Sequence, residues 1–239
     1  IHNGKGGKYG WSKPVNLTVN NSADDFWSGK SITVDRKSRT LTIDKHNFTV
    51  YRNANAQLSL AIGGKELLSN NNTVLFRLTQ LSENKYKYKY IQSSSCEEYI
   101  EITINGNKLI FSDENDELLD QHMIEAAVRV SQNHDTVYIS ADEYLLTRYV
   151  NVETAVRFIG SSDGETVLTA NFGDDTVTSS GHLINYLFAV SYEPSGFENI
   201  VFKDTLDSVY SPCFIRLNVK NKQYSDYKTL IKNCEFLKY

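Results

Sequence analysis

Acidic side chains in the second half of the chain are the residues best suited to chemistry. Two neighbouring carboxylates can hold a calcium ion, or divide the acid and base work on a glycosidic bond between them. Solvated turns are the alternative, because several of these acids lie beside glycine or in polar loops. No acid-plus-arginine arrangement repeats around them, so the sequence favours turns. The acidic and metal candidates are Asp163, Asp174, Asp175 and Asp204.

A second set of candidate site residues is aromatic. Lysine and tyrosine alternate from Lys85 to Tyr90, so a strand there would place tyrosines on one face and lysines on the other. A tyrosine row can stack on the apolar face of a sugar ring and bond to its hydroxyls. A tyrosine-lined sheet core with lysines in water is the alternative, and the sequence favours it. The glycan-binding candidates are Tyr86, Tyr88, Tyr90, Trp11 and Trp27.

Histidines and cysteines form no metal-binding pattern in this sequence. The five histidines are scattered, and no cysteine–histidine cluster has the spacing of a zinc site. The three cysteines are Cys96, Cys213 and Cys234. We expect buried free thiols, with a disulfide between Cys213 and Cys234 as the alternative. The sequence therefore predicts no cofactor, and it leaves calcium open.

The overall composition is that of an ordinary folded protein. The chain has 239 residues, of which 40% are hydrophobic and 23% charged, and its formal net charge is −4. That charge gives no electrostatic reason to expect a nucleic acid partner. No apolar run approaches the roughly 18–20 residues that cross a bilayer, so we expect no membrane span. Because the chain begins at Ile1 rather than Met, we expect a processed or excised piece.

The first 111 residues predict strands throughout. Alternating runs at 31–35 and 40–44 flank a short polar link, which is the pattern of a hairpin. The triplet Asn-Gly-Asn at 105–107 joins two more alternating runs. It favours another tight hairpin, because asparagine and glycine accept positive φ. About eight short strands without a helical period predict an antiparallel β-sandwich-like domain over residues 1–111.

The pattern changes at residue 112. Apolar residues recur at spacings of three and four between Leu118 and Val130, which predicts an amphipathic helix. The runs at 197–204 and 229–236 share an aliphatic residue, an asparagine and a phenylalanine. Such a repeat places equivalent residues above one another, so that asparagines and inward aliphatics stack in ladders. Strand patterns follow the helix at 135–139, 152–160, 165–168, 197–204, 214–219 and 229–236.

This order of elements resembles the opening of pectin-lyase-like right-handed parallel β-helix proteins, in which a short helix caps the open end of a solenoid. The resemblance is carried by the Ala-Ala pair of the helix, Asp-Thr-Val-Tyr-Ile at 135–139 and Thr-Val-Leu at 166–168. The loop at 140–144 replaces the glycine and threonine usual in that family. The resemblance implies that residues 112–239 form a helix-capped right-handed parallel β-helix of about three coils. A leucine-rich or antiparallel β arrangement is the alternative.

The resemblance also implies a functional setting. It includes surface adhesins, phage tail proteins and polysaccharide lyases, so we expect a polysaccharide or cell-surface glycan as partner, and an extracellular, cell-surface or virion location. The lack of a catalytic motif favours a binding protein or a structural spacer. The alternative is the N-terminal part of a polysaccharide lyase or glycoside hydrolase with catalytic coils beyond residue 239. An uncapped solenoid end would expose strand edges, so we expect a continuation of the chain or a second chain there. A homotrimer is a possible assembly.

Overall fold

Strands dominate the chain. The computed structural model describes residues 15–19, 24–52, 58–62, 65–66, 77–93, 96–112, 118–171, 186–191, 195–204, 214–218 and 230–238. Within these ranges it contains twenty β-strands, one α-helix and a short 3-10 helix at Asp24–Trp27. The predicted all-β class is therefore confirmed.

The strands before the helix pair mainly in antiparallel fashion. The order of hydrogen-bonded neighbours runs from β2 through β3, β10, β9, β8, β7 and β5 to β4. The bounds are β1 Val15–Val19, β2 Ser31–Asp35, β3 Thr40–Ile43, β4 Phe48–Arg52, β5 Leu58–Ile62, β6 Lys65–Glu66, β7 Arg77–Ser82, β8 Lys85–Ser93, β9 Cys96–Asn105 and β10 Lys108–Ser112.

Both predicted hairpins are confirmed. β2 and β3 pair in antiparallel fashion, with Val34 opposite Leu41. β9 and β10 are joined at Gly106, whose φ of 57° is a left-handed conformation that glycine accepts without steric cost. In these two hairpins, the residues of the turn set the pairing register of the two strands.

The strands after the helix pair in three parallel ladders. The first ladder is β11–β14–β17–β20, the second is β12–β15–β18–β20, and the third is β13–β16–β19. The bounds are β11 Asp135–Ile139, β12 Asp142–Leu146, β13 Val150–Val152, β14 Val156–Gly160, β15 Thr166–Ala170, β16 Phe188–Ser191, β17 Gly196–Glu198, β18 Val201–Asp204, β19 Ile215–Asn218 and β20 Leu230–Lys238.

Apolar side chains of successive strands lie directly above one another in the core. Phe158 and Phe197 stack with ring centroids 5.2 Å apart, and Phe202 and Phe236 stack at 5.1 Å. Parallel pairing in register brings equivalent positions together, which is why the repeat seen in the sequence becomes a continuous core. The in-register row of the first ladder, extended into β2, is Ile32, Val137, Phe158, Phe197 and Ile231.

The helix α1, Leu119–Val130, begins and ends close to the predicted bounds. It packs against strands of both halves, namely β2, β3, β10, β12 and β13. The apolar stripe that predicted it is buried, but so are polar residues on the other faces, including Asp120, Gln121 and Glu125. The helix is therefore enclosed on nearly all sides, and its polar groups must find partners within the protein.

Two pairings join the predicted halves of the chain. β2 pairs in parallel with β11, so the first ladder begins before the helix. β1 pairs in antiparallel fashion with the edge of β20, with Leu17 opposite Cys234. The main sheet is consequently mixed, and its hydrogen bonds join strands from both sides of residue 112. The division into domains 1–111 and 112–239 stays a prediction. Cys234 is a buried free thiol, whereas Cys213 lies outside the described residues.

Candidate functional site

The acidic candidates from the sequence do not converge in the part of the chain that the structure describes. Asp163 lies in an exposed turn, where its carboxylate accepts a hydrogen bond from Ser162 Oγ at 3.3 Å. Asp204 ends β18 and is buried opposite Ala170. Asp174 and Asp175 lie outside the described residues. Among the residues described, no group of three acidic, histidine or cysteine side chains could hold a metal ion.

The aromatic candidates are mostly buried. Tyr86 and Tyr88 are 8% and 2% exposed and belong to the main apolar core. This burial supports the interpretation of a tyrosine-lined sheet core, because a sugar cannot reach buried rings. Trp27 packs against Phe26 with centroids 4.7 Å apart and is buried too. The backbone of Tyr90 lies in β8, but its side chain is outside the description, as is all of Trp11.

A groove with different residues lies along the outer face of the third ladder. It has a volume of about 170 Å³, below the roughly 300–1,000 Å³ of pockets that enclose drug-sized ligands. Such a space suits one ring of a larger molecule. The groove is lined by Tyr149, Asn151, Tyr186, Ala189, Val190, Ser191 and Arg216.

Parallel register assembles this groove from three distant parts of the sequence. Asn151 of β13 lies opposite Ala189 of β16, which lies opposite Arg216 of β19. Neighbouring positions on the same strands point inward, where Val150, Val152 and Phe188 are buried. The alternation of a strand thus separates a core row from a groove row, and the small side chain of Ala189 leaves the middle of the groove open.

Two tyrosines and an arginine give the groove its chemistry. The rings of Tyr149 and Tyr186 meet edge to face, with centroids 5.3 Å apart. The guanidinium carbon of Arg216 lies 5.3 Å from the centre of the Tyr186 ring, within range of a cation–π interaction. Across the groove, Asn151 donates its amide N–H to Glu153 at 2.9 Å. Tyr186 is buried, with 9% of its surface exposed, and supports the half-buried Tyr149 ring. The site therefore offers the Tyr149 ring, a cation and polar groups together.

The electrostatics keep the phenol of Tyr149 neutral. Burial raises its pKa, and the neighbouring Tyr186 and the Glu125 carboxylate raise it further. A phenol in that state donates a hydrogen bond and presents an apolar ring. Arg216 Nη1 donates a hydrogen bond to Tyr186 Oη at 3.5 Å, and among the residues described no carboxylate lies within salt-bridge distance of it.

The outer faces of the other two ladders hold charges that are already paired. Glu198 of β17 accepts hydrogen bonds from Arg157 of β14 at 2.6 Å and lies 3.7 Å from Lys232 of β20. Glu143 of β12 accepts from Thr169 of β15 at 2.7 Å and from Lys203 of β18 at 3.1 Å. These rows tie neighbouring strands together, and we assign them to stability.

Side chains of α1 hold the backbone that leads into the groove. Asp120 Oδ2 accepts a hydrogen bond from Leu145 N at 2.9 Å, and Gln121 Oε1 accepts from Thr147 N at 3.0 Å and Arg148 N at 3.2 Å. The next residue along the chain is Tyr149. The buried polar groups of the helix thus satisfy backbone N–H groups that the ladder leaves unpaired.

The candidate site residues named from the sequence include none of the residues that line the groove. Tyr149 and Tyr186 are single tyrosines beside apolar strands in the sequence, so only the pairing of β13 with β16 shows that they lie together.

No family model, curated protein or solved structure matches this chain. Within the described residues, no helix combines the length and apolar character needed to cross a membrane.

Proposed function

We propose that this chain is a surface-exposed β-helix protein, of adhesin or virus-tail type, that binds a glycan in the groove between Tyr149 and Arg216. The single observation that carries the proposal is the clustering of two tyrosines, an asparagine and an arginine on one face of the third ladder. An extracellular, cell-surface or virion location belongs to the same proposal. The location follows from the proposed partner, because polysaccharides and cell-surface glycans lie outside the cell.

The fold part of the proposal is a right-handed parallel β-helix of about three coils, capped by α1. The three parallel ladders and the in-register row through Val137, Phe158 and Phe197 support it. A further sign of stacked coils is an asparagine pair, since Asn233 donates its amide N–H to Asn199 Oδ1 at 3.2 Å. An experimental structure would test both the handedness and the number of coils.

The chemistry of the groove matches a sugar ring in three respects. A pyranose has an apolar face that can rest on the Tyr149 ring. Its hydroxyls can bond to Asn151 and Ser191, which line the same space. Arg216 can donate to a ring oxygen, a hydroxyl or an acidic substituent in a fixed fork geometry. A groove of this size accommodates one sugar while the rest of the glycan extends into solvent.

Screening the purified chain against an array of glycans tests the proposal, followed by titration of the strongest binder. Replacing Tyr149 with alanine should weaken binding by about 1–3 kcal/mol, which is the usual effect of truncating an aromatic hot-spot side chain. Tyr138→Ala is the matched control, because Tyr138 is an exposed tyrosine on β11 and lies on the first ladder instead of the groove.

The two variants give a clear decision. If Tyr138→Ala binds as the wild type does and Tyr149→Ala does not, the site is the groove. Equal weakening by the two variants, or full binding by Tyr149→Ala, would remove the groove from the proposal. A wild-type chain that binds no glycan would overturn the function itself.

A further inference from the structure

Glu125 of α1 forms a buried ion pair with Arg148, the residue that precedes Tyr149 of the groove. Its Oε1 accepts a hydrogen bond from Arg148 Nε at 2.9 Å, and its Oε2 accepts from Arg148 Nη2 at 2.7 Å. The two side chains are only 4% and 11% exposed. A two-bond contact of this kind fixes direction as well as distance, because the planar guanidinium fits the carboxylate in one orientation.

Gln121 completes the arrangement one helical turn earlier. Its amide Nε2 donates to Glu125 Oε1 at 2.8 Å, while its Oε1 accepts from the backbone N–H groups of Thr147 and Arg148. Arg148 is therefore held twice, by its side chain and by its backbone. A buried network in which each member has a partner is rigid, so its effect extends to the residue that follows.

Tyr149 lies between this network and the third ladder. On its N-terminal side the backbone is bonded to α1 as described, and on its C-terminal side Val150 N donates to Leu187 O at 2.8 Å. Leu187 follows Tyr186, the other aromatic wall of the groove. The relative position of the two rings is consequently set by α1 on one side and by the ladder on the other.

We propose that Glu125 and Gln121 are positioning residues, which through Arg148 set the place of the Tyr149 ring and thereby the affinity of the groove. This inference rests on the proposed function, since it concerns the same groove. Neither residue lines the groove, so their effect on a ligand must pass through Tyr149. The helix then does more than cover the end of the core, because it also orients a binding residue.

The test compares Glu125→Gln with a matched control, Glu143→Gln. Both changes remove one carboxylate that pairs with a cation, but Glu143 lies on the outer face of the second ladder. We expect Glu125→Gln to raise the Kd for the best array glycan by about tenfold, by analogy with the ~10–100-fold losses seen when groups that orient a metal ligand are removed. Glu143→Gln should bind as the wild type does.

Glu125→Gln removes the carboxylate that Arg148 contacts through two hydrogen bonds, which can prevent folding. The double variant Glu125→Gln with Arg148→Met removes both charges of the buried pair together. It should fold and show the same loss of affinity. If the double variant folds and binds as tightly as the wild type, the inference is wrong.

A second measurement follows Tyr149 without any ligand. In protein labelled with 13C at the tyrosine Cζ, the Tyr149 signal can be assigned from its loss in Tyr149→Phe. Removing Glu125 should weaken the ring contacts between Tyr149 and Tyr186 and so shift the Tyr149 signal at neutral pH, where the phenol is neutral in both proteins. A lowered pKa of Tyr149 is expected from loss of the nearby charge alone and does not decide the question. A neutral-pH signal unchanged from the wild type would overturn the positioning role. If the wild type binds no glycan, the proposed function fails and these signals alone decide the positioning of Tyr149.

Discussion

At the scale of single residues, one turn position repeats along the chain with a fixed geometry. Asn199 follows β17 with a φ of 54°, and Asn233 takes the equivalent place in β20 with a φ of 51°. Asparagine accepts the left-handed region more readily than most residues. Asn233 donates its amide N–H to Asn199 Oδ1 at 3.2 Å, so the two equivalent asparagines are in direct contact.

Gly160, the last residue of β14, occupies the equivalent register position one strand earlier, and its lack of a side chain is required by packing. A Cβ at this position would overlap the backbone carbonyl of Asn199. We expect Gly160→Ala to lower the free energy of unfolding by about 1–3 kcal/mol, as overpacking usually does. Chemical denaturation would measure it, with the exposed Ser162→Ala as the control, which should change stability by less than about 0.5 kcal/mol. Equal stability of the two variants would show that the backbone at Asn199 can shift away from position 160 without cost.

Predictions from sequence succeeded at this scale where the signal was local. The Asn-Gly turn at 105–107 and the asparagines of the repeat both report their own backbone conformation. Tyr86 and Tyr88 show the limit, because alternation gives the face of a strand but not what covers it. In the folded chain, the ring of Tyr88 lies 6.3 Å from that of His122 in α1, a residue from a distant segment. Only the tertiary contact decides that this face is core.

At the scale of elements, the strands of the second ladder are linked by a polar row on their outer face. Glu143 accepts hydrogen bonds from Thr169 and Lys203. The bond from Thr169, and then that from Lys203, lowers the pKa of Glu143 below its usual value. The row thus connects β12, β15 and β18 through one ionised carboxylate.

This row predicts a pH dependence of stability. A carboxylate with a lowered pKa in the folded state stabilises the fold above its unfolded pKa of about 4.3, and this contribution is lost as pH falls through the folded value. The wild type should therefore exceed Glu143→Gln in stability near neutral pH, and the difference should shrink on acidification. Thr169→Val should show a smaller version of the same trend. Denaturation curves across this range would measure it, and a difference that grows at low pH would contradict it.

The groove could not be predicted at the element scale. Each strand that contributes to it was indicated by its apolar pattern, but β13, β16 and β19 supply only one outward residue each to the central row. The pairing register of these strands decides which of their residues become neighbours in the groove. Long connections join the strands, and the length of a connection does not by itself predict the register. The helix was predicted from its spacing, whereas the burial of Asp120, Gln121 and Glu125 was not, because periodicity does not show what lies on a polar face.

At the scale of the whole molecule, the two ends of the described chain meet. β1 pairs with the outer edge of β20, the strand that closes the first two ladders. An unpaired edge of this kind favours association with other chains, and β1 covers it. Cys234 lies in the covered region with its thiol in the core, where burial raises its pKa to about 11.

Cys234 can therefore report whether β1 protects this edge. In a chain whose other two cysteines are replaced by serine, a thiol reagent near neutral pH should react slowly, because the thiol is buried and protonated. Removing residues 1–19 deletes β1, and we expect Cys234 to react at least about tenfold faster, since opening of the β20 edge then costs about 1.4 kcal/mol less. A chain lacking only residues 1–14 keeps β1 and should react at the wild-type rate. If the two truncated chains react equally fast, the pairing of β1 with β20 does not protect the end of the ladders, and the edge must be stable by itself.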